Sequence, residues 1–167
     1  VAAHALEALR NSRVREVFIL GRRGPEQASF TPPELKEFGE MEDVDTVVAP
    51  EELAGCVIPE AAGNSQQEKN LKILQSYAAQ QPGGKAKKLH LRFRVSPTEI
   101  IAGADGKVAG LVLEKNRIEI QPDGTVSARG TGERPEREEG ECNEGEGGSQ
   151  GQGPTVDWGL GGDSASG

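Results

Sequence analysis

Cysteine is scarce in this chain of 167 residues. Cys56 and Cys142 are the only two, and they lie far apart. They form neither a disulfide framework nor a metal-ligand spacing, and two separated thiols suit a reducing, cytoplasmic-type or organellar-matrix compartment. Histidine is equally rare. His4 falls in a helix-like stretch and His90 in a strand-like one, neither with a serine or cysteine at nucleophile spacing. Both read as structural or surface residues. No apolar run approaches the roughly 20 residues of a membrane-spanning helix. The start, "VAAHALEAL", has no methionine and no signal-peptide pattern. Basic residues are in no excess: the formal net charge is −8, and residues 1–130 hold eighteen acidic and seventeen basic side chains. That balance excludes a general nucleic-acid surface, which needs a broad positive field. No internal repeat is visible.

What is present begins with an alternation. Residues 2–10 are strongly helix-forming, with Leu6 and Leu9 on one stripe. Val14 to Leu20 is a strand. Thr31-Pro32-Pro33-Glu34 is a helix start, with Thr31 as cap, proline at the first helical position and Glu34 where a capping box wants it. The helix runs on to Met41, and Asp45 to Ala49 is a second strand stopped by Pro50. Helix, strand, helix, strand is the pattern of a parallel sheet with crossovers. A loop-rich connector follows, with a helical turn at Glu51-Glu52-Leu53, and then a helix from Gln66 to Gln80. Three strands are expected at Lys88–Val95, Thr98–Ala102 and Lys107–Glu114, with a bend at Ser96–Glu99 and a turn at Ala104-Asp105-Gly106. Ile118–Ile120 and Thr125–Ser127 form a further short hairpin around Pro122-Asp123-Gly124. The fold class is therefore α/β, opening with a partial parallel sheet and continuing as a β-meander.

Near Gly130 the composition changes. Residues 131–167 contain eleven glycines, nine acidic and two basic residues, and only five apolar ones. Such a segment does not bury enough surface to offset its ordering entropy. The chain divides into an α/β domain over residues 1–133 and a disordered Gly/Glu-rich tail over 134–167. Trp158 stands alone in that tail.

The most informative stretch is "VREVFILGRRGPEQASFTPPEL", residues 14–35. Two arginines, Arg22 and Arg23, sit between glycines where a strand opens into a loop. One reading is a solvated turn. The other rests on position: in an open α/β sheet, ligands bind outside the carboxyl ends of the strands. Arginine at the end of the second strand of a dinucleotide-binding unit suits the 2′-phosphate of NADP, because its planar fork makes paired charge-assisted bonds to phosphate oxygens. Lys85-Ala86-Lys87-Lys88 is likewise open to two readings, a solvated turn or an electrostatic dock for an acidic partner.

Residues 1 to about 133 resemble the NADP-binding domain of ferredoxin–NADP reductases of the adrenodoxin reductase type. The resemblance rests on Gly21-Arg22-Arg23-Gly24-Pro25, on Gln27-Ala28-Ser29-Phe30-Thr31, and on Glu34-Leu35-Lys36-Glu37, in order and spacing. "NLKIL" at 70–74, "LHLRFRVSPTEI" at 89–100, "VAGLVLEKNRI" at 108–118 and "GTGE" at 130–133 continue it. The family resemblance implies a partial Rossmann-like NADP-binding domain from an FAD-dependent oxidoreductase that passes electrons between NADPH and a ferredoxin-like iron–sulfur protein. It assigns NADP contacts to Arg22, Arg23 and Glu34, no catalytic residue and no metal, and puts the FAD contacts and the glycine-rich turns outside this chain. It follows that the isolated chain is expected to be inactive. The alternative is a non-catalytic α/β remnant or interaction module with an acidic tail.

Overall fold

The computed structural model describes residues 3–56, 65–104 and 106–133, and the backbone of 136–139. Helix α1 (Ala3–Arg10) leads into strand β1 (Glu16–Gly21). Helix α2 (Pro32–Glu40), strand β2 (Val44–Val47), helix α3 (Gln66–Ala79) and strand β3 (Lys87–Phe93) follow. β1, β3 and β2 form a parallel sheet in that order, so the later strand lies between the two earlier ones. The expected crossovers are thus present, with β3 as the shared partner.

Alternation along β3 turns Leu89, Leu91 and Phe93 into the core and leaves His90 and Arg92 half-buried on the other face. The inward set packs with Leu35 of α2, Val48, and Leu74 and Tyr77 of α3. Full burial of a leucine such as Leu35 or Leu74 stabilises by about 1.5–3 kcal/mol. The Tyr77 hydroxyl donates to the Leu35 carbonyl at 2.7 Å, which fixes α3 against α2. On the opposite sheet face, His90 stacks on Phe18 with ring centroids 4.3 Å apart and reaches Glu16 at 2.9 Å. Burial lowers the basicity of that imidazole, against the opposing pull of Glu16. His90 is a packing residue, as its surroundings suggested.

A second sheet follows after one residue. Strands β4 (Val95–Ala102), β5 (Val108–Ile120) and β6 (Val126–Gly130) run antiparallel, and β7 (Glu136–Glu139) pairs with β5 beside Gly110 to Leu113. Two boundaries differ from the sequence reading. The bend expected at Ser96–Glu99 lies inside β4, which absorbs Pro97 through a register irregularity between Pro97 and Glu99. The true break is Arg94, at φ 56°. Likewise β5 does not stop at Glu114 but runs unbroken to Ile120. Its polar middle, Lys115-Asn116-Arg117, is held in place because Asn116 is buried. Of the segment read as a disordered tail, Glu136–Glu139 is described as β7, so strand pairing extends past residue 133. Residues 134, 135 and 140–167 lie outside the described residues, as do Cys142 and Trp158.

The Lys85–Lys88 run is largely occupied. The Lys85 ammonium donates to the carbonyls of Met41 and Val44 at 2.7 and 3.2 Å, and Lys88 lies 3.6 Å from Glu16. Lys87 is the first residue of β3.

Candidate functional site

Gly21, the last residue of β1, lies close against β3. A Cβ on Gly21 would lie 3.2 Å from the Phe93 ring and 3.4 Å from the Arg92 carbonyl. Arg22 and Arg23 follow. The Arg22 carbonyl accepts from the Asn116 side-chain amide at 3.0 Å, and the Arg23 carbonyl accepts from the Arg94 backbone N–H at 3.1 Å. The Gly24 N–H then donates to Gln27 at 3.0 Å, and a 3-10 turn over Pro25–Gln27 carries the chain away. The loop backbone is tied at three successive residues. The two guanidinium groups are not: both side chains are exposed, and neither makes a hydrogen bond or ion pair among the described residues.

Beside this loop lies a cleft of about 400 Å³, open at the carboxyl ends of β1 and β3. Arg22, Arg23, Arg92, Gln27, Ser29 and Phe30 contribute to its wall, and no carboxylate among the described residues does. The third arginine is already neutralised. Arg92 Nε donates to Glu52 at 2.6 Å, and the other Glu52 oxygen accepts from the Phe93 N–H at 2.8 Å. Glu52 is buried and comes from the 3-10 turn Pro50–Leu53, the helical turn read from Glu51-Glu52-Leu53. The free positive charge of the cleft therefore belongs to Arg22 and Arg23. Two unpaired guanidinium forks beside backbone held in place are suited to a phosphate dianion, each fork offering two parallel donors.

Glu34 is elsewhere. Its carboxylate accepts from the Thr31 N–H at 2.9 Å and from the Thr31 hydroxyl at 2.8 Å, while the Glu34 N–H donates back to Thr31 at 3.4 Å. This is a complete capping box for α2. The Thr31 backbone bond, helped by its hydroxyl, holds the Glu34 carboxyl below the usual range. Glu34 does not line the cleft of Arg22 and Arg23.

Three supporting residues escaped the sequence reading: Asn116, Arg94 and Glu52. Arg94 donates to the Glu52 carbonyl at 3.1 Å and to Cys56 Sγ at 3.3 Å, and its guanidinium lies 3.5 Å from Glu26. Burial pushes the Cys56 thiol up, against the opposing bond from Arg94. Among the described residues no group of histidine, cysteine and carboxylate side chains is placed to hold a metal ion. No described helix is long and apolar enough to cross a membrane.

No protein-family model matches the chain. Individual proteins do. The NADPH-ferredoxin reductase FprA of Mycobacterium tuberculosis is 41% identical over 137 residues, which is 81% of this chain and 30% of that protein. The structure of Mycobacterium tuberculosis FprA in complex with NADPH superposes with a TM-score of 0.72 over 83% of this chain. The chain is homologous to one segment of this reductase. The relationship extends to the mitochondrial NADPH:adrenodoxin oxidoreductases of Arabidopsis thaliana, 32% identical over 80% of the chain, and of Bos taurus, 34% identical over 69%. The chain spans about 30% of the length of FprA and 25% of the bovine oxidoreductase. The expected kinship with ferredoxin and adrenodoxin reductases is therefore found, as is the mixed α/β fold.

Proposed function

We propose that this chain supplies the NADP-recognition segment of an NADPH-dependent reductase of the FprA and adrenodoxin oxidoreductase kind, with Arg22 and Arg23 reading the 2′-phosphate. The observation that carries the reading is the pair of exposed guanidinium groups at the carboxyl end of β1, without a side-chain partner among the described residues, beside a cleft in whose wall the described residues place no carboxylate. The residues present fit the group: a dianionic phosphate finds two arginine forks, and Ser29 and Gln27 stand in the same wall. When bound, NADPH would supply the hydride, leaving NADP⁺, and a bound FAD would accept it; no residue of this chain is assigned to the flavin. An iron–sulfur protein of the ferredoxin class is the proposed electron partner. The chain's own part is binding and selection. The arginines hold the phosphate, the tied loop orients it, and Phe30 and Phe93 add apolar surface to the cleft wall. Glu34 keeps both parts in the proposal, the cap of α2 and a contact to the nucleotide, because both Thr31 bonds fall on one carboxylate oxygen, Oε2, of an exposed side chain.

The test uses the 167-residue chain and two small probes. 2′,5′-ADP carries the extra phosphate and 5′-AMP does not. Titration followed by NMR of the arginine side-chain N–H groups is expected to show 2′,5′-ADP binding much more tightly, with shifts at Arg22 and Arg23. A chain that binds both probes alike, or neither, refutes the reading.

A further inference from the structure

The arginine loop is shaped from the second sheet. Both carbonyls of the pair, at Arg22 and Arg23, are held by residues beyond β3, while their side chains make no hydrogen bond or ion pair among the described residues. Asn116 is the centre of this arrangement. It sits in the middle of β5, is 8% exposed, and spends its side-chain amide twice, on the Arg22 carbonyl at 3.0 Å and on the Ser96 hydroxyl at 2.8 Å. Its backbone N–H donates to the Arg94 carbonyl at 2.6 Å. Arg94 in turn donates its own N–H to Arg23. That geometry requires the left-handed backbone at Arg94, φ 56°, which non-glycine residues rarely adopt. Bonds from its guanidinium to the Glu52 carbonyl and Cys56 and its approach to Glu26 keep it there. Strain held by surrounding bonds is characteristic of residues that fix a functional geometry.

We propose that Asn116 is a positioning residue for 2′-phosphate recognition, acting with the backbone of Arg94. The inference rests on the assignment of the phosphate to Arg22 and Arg23. Asn116 does not touch the ligand. It fixes the peptide from which Arg22 projects, so that both guanidinium groups meet one phosphate without paying to order the loop at the moment of binding. A purely structural Asn116 would affect stability and all ligands alike. A positioning Asn116 affects the phosphate-bearing ligand alone.

The experiment compares 2′,5′-ADP with 5′-AMP on the full chain carrying Asn116→Ala, with Arg22→Ala/Arg23→Ala as the reference. Asn116→Ala is expected to reduce 2′,5′-ADP affinity by about tenfold, the size of one side chain's ordering cost, and to leave 5′-AMP unchanged. Asn116→Ser, which keeps a hydroxyl beside Ser96 but does not reach Arg22, gives the same selective loss and serves where the alanine variant fails to fold. Arg94→Gly keeps the N–H and permits the left-handed backbone but loses the guanidinium bonds that hold it there, so it is expected to retain more of the preference for 2′,5′-ADP than Arg94→Ala, and the reverse order would overturn the part given to the Arg94 backbone. If the double arginine variant abolishes the preference while both Asn116 variants keep it, the positioning role is wrong and the phosphate assignment stands. If the double arginine variant keeps the preference, the phosphate assignment falls and this inference falls with it. Equal losses for both probes in the Asn116 variants reduce Asn116 to a packing residue and overturn the proposal.

Discussion

Arg22 and Arg23 together allow a quantitative prediction of cofactor choice. The perturbation is Arg22→Ala/Arg23→Ala in an FprA chimera whose matching segment is replaced by residues 3–133 of this chain. Hydrogen bonds to charged groups contribute roughly 1.5–3 kcal/mol each. Both side chains are exposed, so screening by solvent favours the low end of that range. One effective bond per arginine then gives about 3 kcal/mol, or about two orders of magnitude in affinity. One bond per arginine at the top of the range, about 6 kcal/mol in all, would set a ceiling near four orders. The assay is calorimetric titration of NADP⁺ and NAD⁺ at one salt concentration, repeated at a higher one. NADP⁺ binding is expected to weaken about a hundredfold and NAD⁺ binding to change little. Added salt should weaken NADP⁺ binding to the parent chimera more than to the variant, because the charges that attract the phosphate have been removed. Equal losses for the two cofactors would refute the reasoning, since the arginines would then shape the loop or the fold. Unchanged binding of both would leave them as a solvated turn.

Two predictions concern the scaffold. Gly39→Ala places a methyl 2.8 Å from the Cε1 and hydroxyl of the buried Tyr77, so the ring must shift and its bond to Leu35 is strained; a loss of about 1–3 kcal/mol in urea unfolding is expected, and an unchanged midpoint would show that the ring yields freely. Asp45 accepts from the Lys85 N–H at 2.9 Å, and that bond, first among several from the Lys85 turn and against the effect of burial, holds its carboxyl below the ordinary value. With the folded pKa depressed, the stabilisation is present above the unfolded pKa and is lost as pH falls through the folded one. Asp45→Asn should therefore flatten the acid limb of the stability curve below about pH 4, and an identical limb in the two proteins would contradict the linkage.

Locally encoded features were legible in the sequence. Thr31 and Glu34 announced the start of α2, and the same spacing explains the capping box that Glu34 completes. Gln66 opened α3 behind Ser65, whose hydroxyl accepts from the Glu68 N–H. The glycine-flanked arginines pointed to the mouth of the cleft. The features that were missed depend on contacts distant in sequence. A serine-proline pair carries the local marks of a bend, whereas the left-handed Arg94 has none, and only Glu52, Cys56 and Glu26 around it make that conformation stable. The strand expected to stop at Glu114 missed Asn116 because a polar residue carries no sign of burial until its partners, Arg22 and Ser96, are known.

The parallel pairing of β1 has a consequence for the order of assembly. Glu16 finds its partner in Lys88 and Gly21 in Phe93, so β1 has no neighbour in its sheet until α2, β2 and α3 have all been synthesised. The loop beyond it waits longer, for Asn116. Pairings of such long sequence separation pay their loop-closure entropy before any contact rewards it, and they form slowly. On the ribosome, β1 and its two arginines emerge among the earliest parts of this segment, yet their native surroundings close only after residue 116 has emerged.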